Sequence, residues 1–182
     1  MWSIALRFAA IALVLAAAGP ARATVVLSGT LDALVSESSV VLHGTVRSVD
    51  DHGTPFRTVV EVEVTEGLKG LPGSAHTFRL ELPGGRSGDL AMMVPGMPRF
   101  ALDDEVVLLL EKTPQGGFVP TGLGQGVFHV DRTQPVAQVR RELRSATYVD
   151  QQGREAPVPA APRTLDELLA KIRSLVAAGA PR

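Results

Sequence analysis

From Arg57 to Glu66 apolar and polar side chains alternate, with Val60, Val62 and Val64 on one side and Glu61, Glu63 and Thr65 on the other. This is the period-two pattern of an antiparallel strand with one face in a core. Phe78, Leu80 and Leu82 repeat it against Thr77, Arg79 and Glu81 after a turn over Gly67 to Gly73. If the two strands pair, Arg79 is expected to meet Glu61 or Glu63 across the outer face. Val106 to Leu110 lacks alternation altogether and predicts a strand buried on both faces. Upstream, Leu27, Leu31, Leu34 and Val35 recur at helical spacing, Thr30 is placed to cap and Asp32 suits the first turn, so Leu31 to Ser38 reads as helix. Ser39 to Val49 reads as a strand bent at Gly44, followed by a turn over Asp50 to Gly53.

The turn Pro114 to Gly117 leads to short strands at Phe118 to Thr121 and Val127 to Val130, with Gly122, Gly124 and Gly126 loosening the chain between them. Val136 to Val149 is read as extended, and the prolines of residues 151–163 mark a linker. Beyond it, Leu165, Leu168, Leu169, Ile172, Leu175 and Val176 form one apolar stripe. Thr164 and Glu167 have the spacing of a capping box and Gly179 that of a C-cap, which predicts an amphipathic helix over 164–179 covering a sheet face or an open barrel end. The whole is expected to be mainly β, an antiparallel barrel or sandwich of five to six main strands at 24–150 between a short N-terminal and a C-terminal helix.

Residues 1–23 have a different character. Arg7, the apolar run Phe8 to Ala18 and Ala21-Arg22-Ala23 match the parts of a secretory signal peptide. The run is shorter than the roughly 20 residues a membrane-spanning helix needs, so no stable membrane insertion is expected after cleavage before Thr24. The expected location is therefore the periplasm or the medium. Without Arg7 and Arg22 the 18 basic residues become 16 against 19 acidic ones, a net charge of 16 − 19 = −3, which argues against nucleic acid as a partner. The chain has no cysteine, which excludes disulfides and thiol chemistry and leaves stability to the core. Tyr148 is the single tyrosine and Trp2 the single tryptophan, so platforms that stack sugars or bases lose weight.

Catalytic constellations are sparse. His43, His52, His76 and His129 show no spacing that would put two metal ligands on one helix face. Asp50, Asp51 and His52 read as a solvated turn, as do Asp103, Asp104 and Glu105. Gly85-Arg86-Ser87-Gly88 lacks the strand-to-helix context and the pattern of a nucleophile elbow. The longest stretch without periodicity, Pro83 to Phe100, holds Met92, Met93 and Met97, with Pro95-Gly96 fitting a type II turn. Thioethers are adaptable contact groups; they also suit Cu(I), and they can fold back as core. The candidate binding residues are Arg86, Met92, Met93, Pro95, Met97 and Arg99, with no catalytic residue, metal or cofactor expected.

Several segments carry a family likeness: Val40 to Val46, Val62-Glu63-Val64 with Leu68-Lys69-Gly70, Pro83-Gly84-Gly85 through Val94 to Phe100, Asp104 to Leu110, and Gly124 to Phe128. Over residues 38–132 the chain resembles a family of uncharacterised exported bacterial proteins, which implies export and architecture but no activity. The Val-rich strand ending in Gly-Thr-Val, the long strand ending in Leu-Lys-Gly and the later buried strand also resemble the OB-fold barrel of netrin-like and metalloproteinase-inhibitor modules. Those inhibitors reach a catalytic zinc with an N-terminal cysteine that has no counterpart here. The expectation is a non-catalytic binding module that meets a protein partner in the envelope or outside the cell through loop 84–100. The alternatives are a secreted protease inhibitor, working through the same loop or Thr24 to Leu27, and a metal-dependent hydrolase whose His and Asp ligands meet only in three dimensions.

Overall fold

The computed structural model describes residues 24–53, 56–71, 75–143 and 146–179. The signal-peptide segment 1–23 lies outside them, as does the end of the turn expected at 67–73. Among the described residues the chain is mainly β with two helices. Its strands are β1 (Thr24–Leu27), β2 (Val40–Gly53), β3 (Arg57–Lys69), β4 (Thr77–Pro83), β5 (Gly85–Ser87), β6 (Leu90–Met92), β7 (Glu105–Lys112), β8 (Phe118–Pro120), β9 (Val127–Asp131), β10 (Gln138–Arg141) and β11 (Ala146–Val149). The helices are α1 (Leu31–Glu37) and α2 (Leu165–Gly179).

A seven-stranded sheet runs in the order β10-β9-β7-β2-β3-β4, with β8 also paired to β7. All its pairs are antiparallel. It curls so that one face encloses Val40, Leu42, Val46, Val60, Val62, Phe78, Leu80, Leu82, Val106, Leu108, Leu110 and Val127. The outer face, carrying Val41, Val107, Leu109 and Phe128, is covered by α1 and α2 through Leu31, Leu34, Val35, Leu165, Leu168, Leu169 and Ile172. β7 is thus buried on both faces, as its unbroken apolar run predicts, and α2 covers a sheet face.

Of the barrel or sandwich expected, a closed barrel is not formed. Among the described residues the ladder ends at β4, whose far edge meets the three-residue β8 through side chains: Phe78 and Phe118 pack edge to face with centroids 5.3 Å apart. β8 is too short to carry a ladder on both sides.

Other differences have local causes. The turn expected at Asp50 to Gly53 is strand, because the β2–β3 hairpin continues to the pair Gly53 and Arg57 past an irregularity. Gly67 to Lys69 belong to β3 for the same reason, Lys69 being paired with Val41. The bulge expected at Gly44 is present as a register shift between His43 and Gly44. A Cβ at Gly44 would stand 2.3 Å from the Glu63 carbonyl oxygen, so only glycine permits the crossing there. Arg79 lies opposite Glu61 but forms its ion pair with Glu81 on its own strand at 3.1 Å, while Glu63 is taken by Arg47 at 2.7 Å. Thr30 caps α1 by accepting from the Ala33 N–H. Thr164 likewise accepts from the Glu167 N–H at 3.4 Å. Gly179 is itself helical and not a cap.

The opening segment is not helical: β1 pairs in parallel with β11, from Thr24 beside Ala146 to Leu27 beside Val149. Gln125, fully buried in a tight 3-10 turn, ties this ribbon to the main sheet. Its Oε1 accepts from the Gly29 N–H at 2.9 Å and its Nε2 donates to the Leu27 carbonyl at 2.9 Å. The glycines around it permit close backbone approach and do not loosen the chain, since a Cβ at Gly126 would lie 2.5 Å from the Thr121 oxygen. The segment 151–163 is hydrogen-bonded back at Ala156 N to Tyr148 O and at Ser28 Oγ to Pro157 O.

Replacing Gln125 by Leu would leave the Gly29 N–H and the Leu27 carbonyl without these partners. Both hydrogen bonds are partly buried, so the expected cost is about 1 kcal/mol for each. Denaturant unfolding should register the loss, and amide exchange at Gly29 should accelerate selectively.

Candidate functional site

The loop expected to be structureless contains the two-stranded hairpin β5–β6, with Gly88 at φ +59 in its tip. Two strands of three residues each form here although the side chains from Arg86 to Met93 are exposed, because the root is clamped. Thr58 Oγ1 donates to the Gly84 carbonyl at 3.0 Å and the Gly84 N–H to the Phe56 carbonyl at 2.8 Å. Gly85, at φ +133, allows the Asp51 carbonyl oxygen to sit where a Cβ would approach to 2.5 Å.

Further along, Met97 N–H donates to the Val94 carbonyl at 3.2 Å with Gly96 at φ +82, consistent with the type II turn expected at Pro95-Gly96. The Gly96 carbonyl accepts from the Gly124 N–H at 3.1 Å, and Asp104 Oδ2 accepts from the Ala101 N–H at 2.7 Å. The loop is therefore an exposed hairpin on a fixed frame.

Between hairpin, turn and the end of the curled sheet lies a cavity of about 760 Å³. It falls within the range of ligand pockets. Arg86, Met92, Met93, Pro95, Met97 and Arg99 all line it, so the structure brings every candidate binding residue to one place. The methionines divide their roles: Met97 packs against the enclosed core, whereas Met92 is 41% and Met93 74% exposed. Arg86 lies 3.4 Å from Asp51. Arg99 donates to the Met93 sulfur at 3.1 Å. The same cavity is lined by Val49, Thr58, Leu82, Phe100 and Glu142, which sequence reasoning missed as site residues. Of these, Phe100 alone had a signal, as the end of the aperiodic loop; the rest arrive from separate strands.

The histidines do not converge. His43 is paired with Val107 and faces outward, while His129 is paired with Val106 and faces inward. His76 is exposed at the start of β4, and His52 lies 2.9 Å from Asp51. Among the described residues no three His, Asp or Glu side chains are placed to hold one metal ion.

Glu105 is not a solvated turn residue. It accepts from His43 Nε2 at 2.8 Å and from Arg132 at 2.6 Å, and chiefly the Arg132 hydrogen bond holds its carboxyl below the usual range. Glu66, opposite His43, is similarly lowered by Arg173 of α2, which grips it at 2.7 and 2.9 Å. Both carboxylates beside His43 are committed to arginines, Arg173 thereby fastening α2 to the sheet, and they leave no ligand set.

His129 has a different setting, against Phe100. It is 7% exposed, its ring centroid lies 6.0 Å from that of Phe100, its Nδ1 is 3.6 Å from Asp104, and its Nε2 has no hydrogen-bond partner. Burial lowers its pKa from the ordinary 6.5, against the opposing charge of Asp104. A second, open hollow of about 440 Å³ between β11 and residues 155–158 includes Tyr148 in its wall.

Comparison of the chain with protein-family models, with curated proteins and with solved structures returns no match.

Because the native state holds His129 neutral and the unfolded chain takes up the proton first, stability should fall as pH drops below about 6.5 and level off below the native pKa. His129→Phe should remove this part of the decline, checked by urea unfolding between about pH 8 and about pH 5. The contributions of Glu66 and Glu105, present above their ordinary 4.5, should persist in the variant until pH falls through their lowered native values.

Proposed function

We propose that this protein is an exported, non-catalytic binding module that meets a protein partner through the loop 84–100. The observation that carries the reading is the clamped hairpin, which presents Leu90 at 67%, Met92 at 41% and Met93 at 74% exposure beside a preformed cavity. Large apolar side chains grouped on a rigid protrusion mark an interaction surface, and thioethers adapt to the shape of what they touch. The signal-peptide pattern of residues 1–23 supports export to the periplasm or beyond.

An OB-like architecture agrees with the meander β2–β3–β4, whose first strand also pairs the later β7, since OB barrels are partly open, five-stranded and Greek-key. The affinity with uncharacterised exported proteins is part of the same proposal. Thr24 to Leu27 are held in the β1–β11 ladder, which favours the loop over the N-terminus as the contact.

The test is affinity capture from an envelope extract and from culture medium with the wild-type domain and with the double variant Leu90→Ser, Met93→Ser. Both positions are solvent-exposed, so the variant should unfold within about 0.5 kcal/mol of wild type. A partner retained by wild type and lost by the folded variant is the expected result; identical captures would refute the reading.

A further inference from the structure

The cavity beside the hairpin carries four charged side chains, Asp51, Arg86, Arg99 and Glu142. Asp51 and Arg86 face one another at 3.4 Å and compensate locally. Arg99 is in another position: among the described residues its side chain donates to the Met93 sulfur, a weak acceptor, and has no ion pair. A guanidinium offers five donors in a planar fork that matches a carboxylate. Here that fork stands at the wall of a cleft that also presents the apolar side chains of Met92, Met97 and Phe100.

Resting on the reading of this loop as a contact surface, we propose that the cleft takes an extended peptide segment of the partner carrying one carboxylate among apolar side chains, with Arg99 as the residue that selects the carboxylate. The apolar side chains lie against Met92, Met97 and Phe100. A peptide fits better than a compact small molecule because the exposed apolar surface continues beyond the cavity to Leu90, outside its lining. Glu142, on the wall supplied by the chain after β10, disfavours a second carboxylate at its end and so restricts the anion to the side of Arg99. The cation on the Met93 sulfur also opposes a Cu(I) ion at these thioethers, because like charges would be brought together.

The test uses three fluorescent peptides of leucine and glycine, alike except for a single central aspartate, asparagine or lysine, titrated against the full mature chain by fluorescence anisotropy. The aspartate peptide is expected to bind about tenfold tighter than the asparagine peptide, a charge-assisted hydrogen bond being about twice as strong as a neutral one. Arg99→Gln should erase that preference, and Arg99→Glu should transfer it to the lysine peptide. Equal affinity for all three peptides, a preference surviving Arg99→Gln, or no measurable binding at millimolar concentration overturns the proposal. Thermal unfolding of the Arg99 variants serves as the folding control, the side chain being exposed. Equal binding that is lost in Leu90→Ser, Met93→Ser would sink the charge selection alone. Binding indifferent to that double variant would sink the contact surface itself.

Discussion

Val106 to Leu110 of β7 are withdrawn from water on both sides of the sheet, each at 0% exposure, and the remaining architecture is arranged to permit this. Val106, Leu108 and Leu110 point into the enclosed face, so β2, β3 and β4 must curl over them; Val107 and Leu109 point outward, so α1 and α2 must lie on that side. Burying a valine or leucine fully contributes roughly 1.5–3 kcal/mol. In a chain without cysteine no covalent link substitutes for that contribution, so both coverings are required at once.

Polar groups then fix what hydrophobic burial leaves undirected. Apolar contact holds α2 against the sheet, but the bidentate Arg173 to Glu66 pair sets its position along the strands. Gln125 does the same for the β1–β11 ribbon by satisfying backbone groups of residues 27 and 29. Lys69 Nζ, donating at 2.8 Å to the Val35 carbonyl near the end of α1, joins the first helix to the long strand β3. Glycines at 44, 85 and 126 allow backbone to pass backbone wherever these pieces cross. The cleft beside the hairpin inherits its rigidity from this frame.

Much of this was legible in the residues. The alternation of β3 and β4, the unbroken run of β7, the Thr30 cap and the stripe of α2 each follow from local pattern, because burial is periodic in a way the chain records. What the residues did not disclose depends on partners remote in sequence. β1 has no periodicity of its own and is a strand only because β11 lies beside it. Asp50 to Gly53 look like a turn, yet the hairpin ladder continues through them. The cleft itself was half visible: its loop was marked by methionine, proline and length, whereas Val49, Leu82 and Glu142 join it through the curl of the sheet and carry no local mark.

Among the described residues the curl leaves one rim of β4 without a ladder, and an unpaired strand margin is a template for another chain's strand. Here the template is spoiled along its length. Arg79 and Glu81 would have to surrender hydration to an incoming backbone, Pro83 offers no N–H, and the ring of Phe118 already stands against Phe78. A neighbouring copy adding a strand there would meet these obstacles together, so the discontinuity that keeps the sheet from becoming a cylinder carries its own deterrents to strand addition.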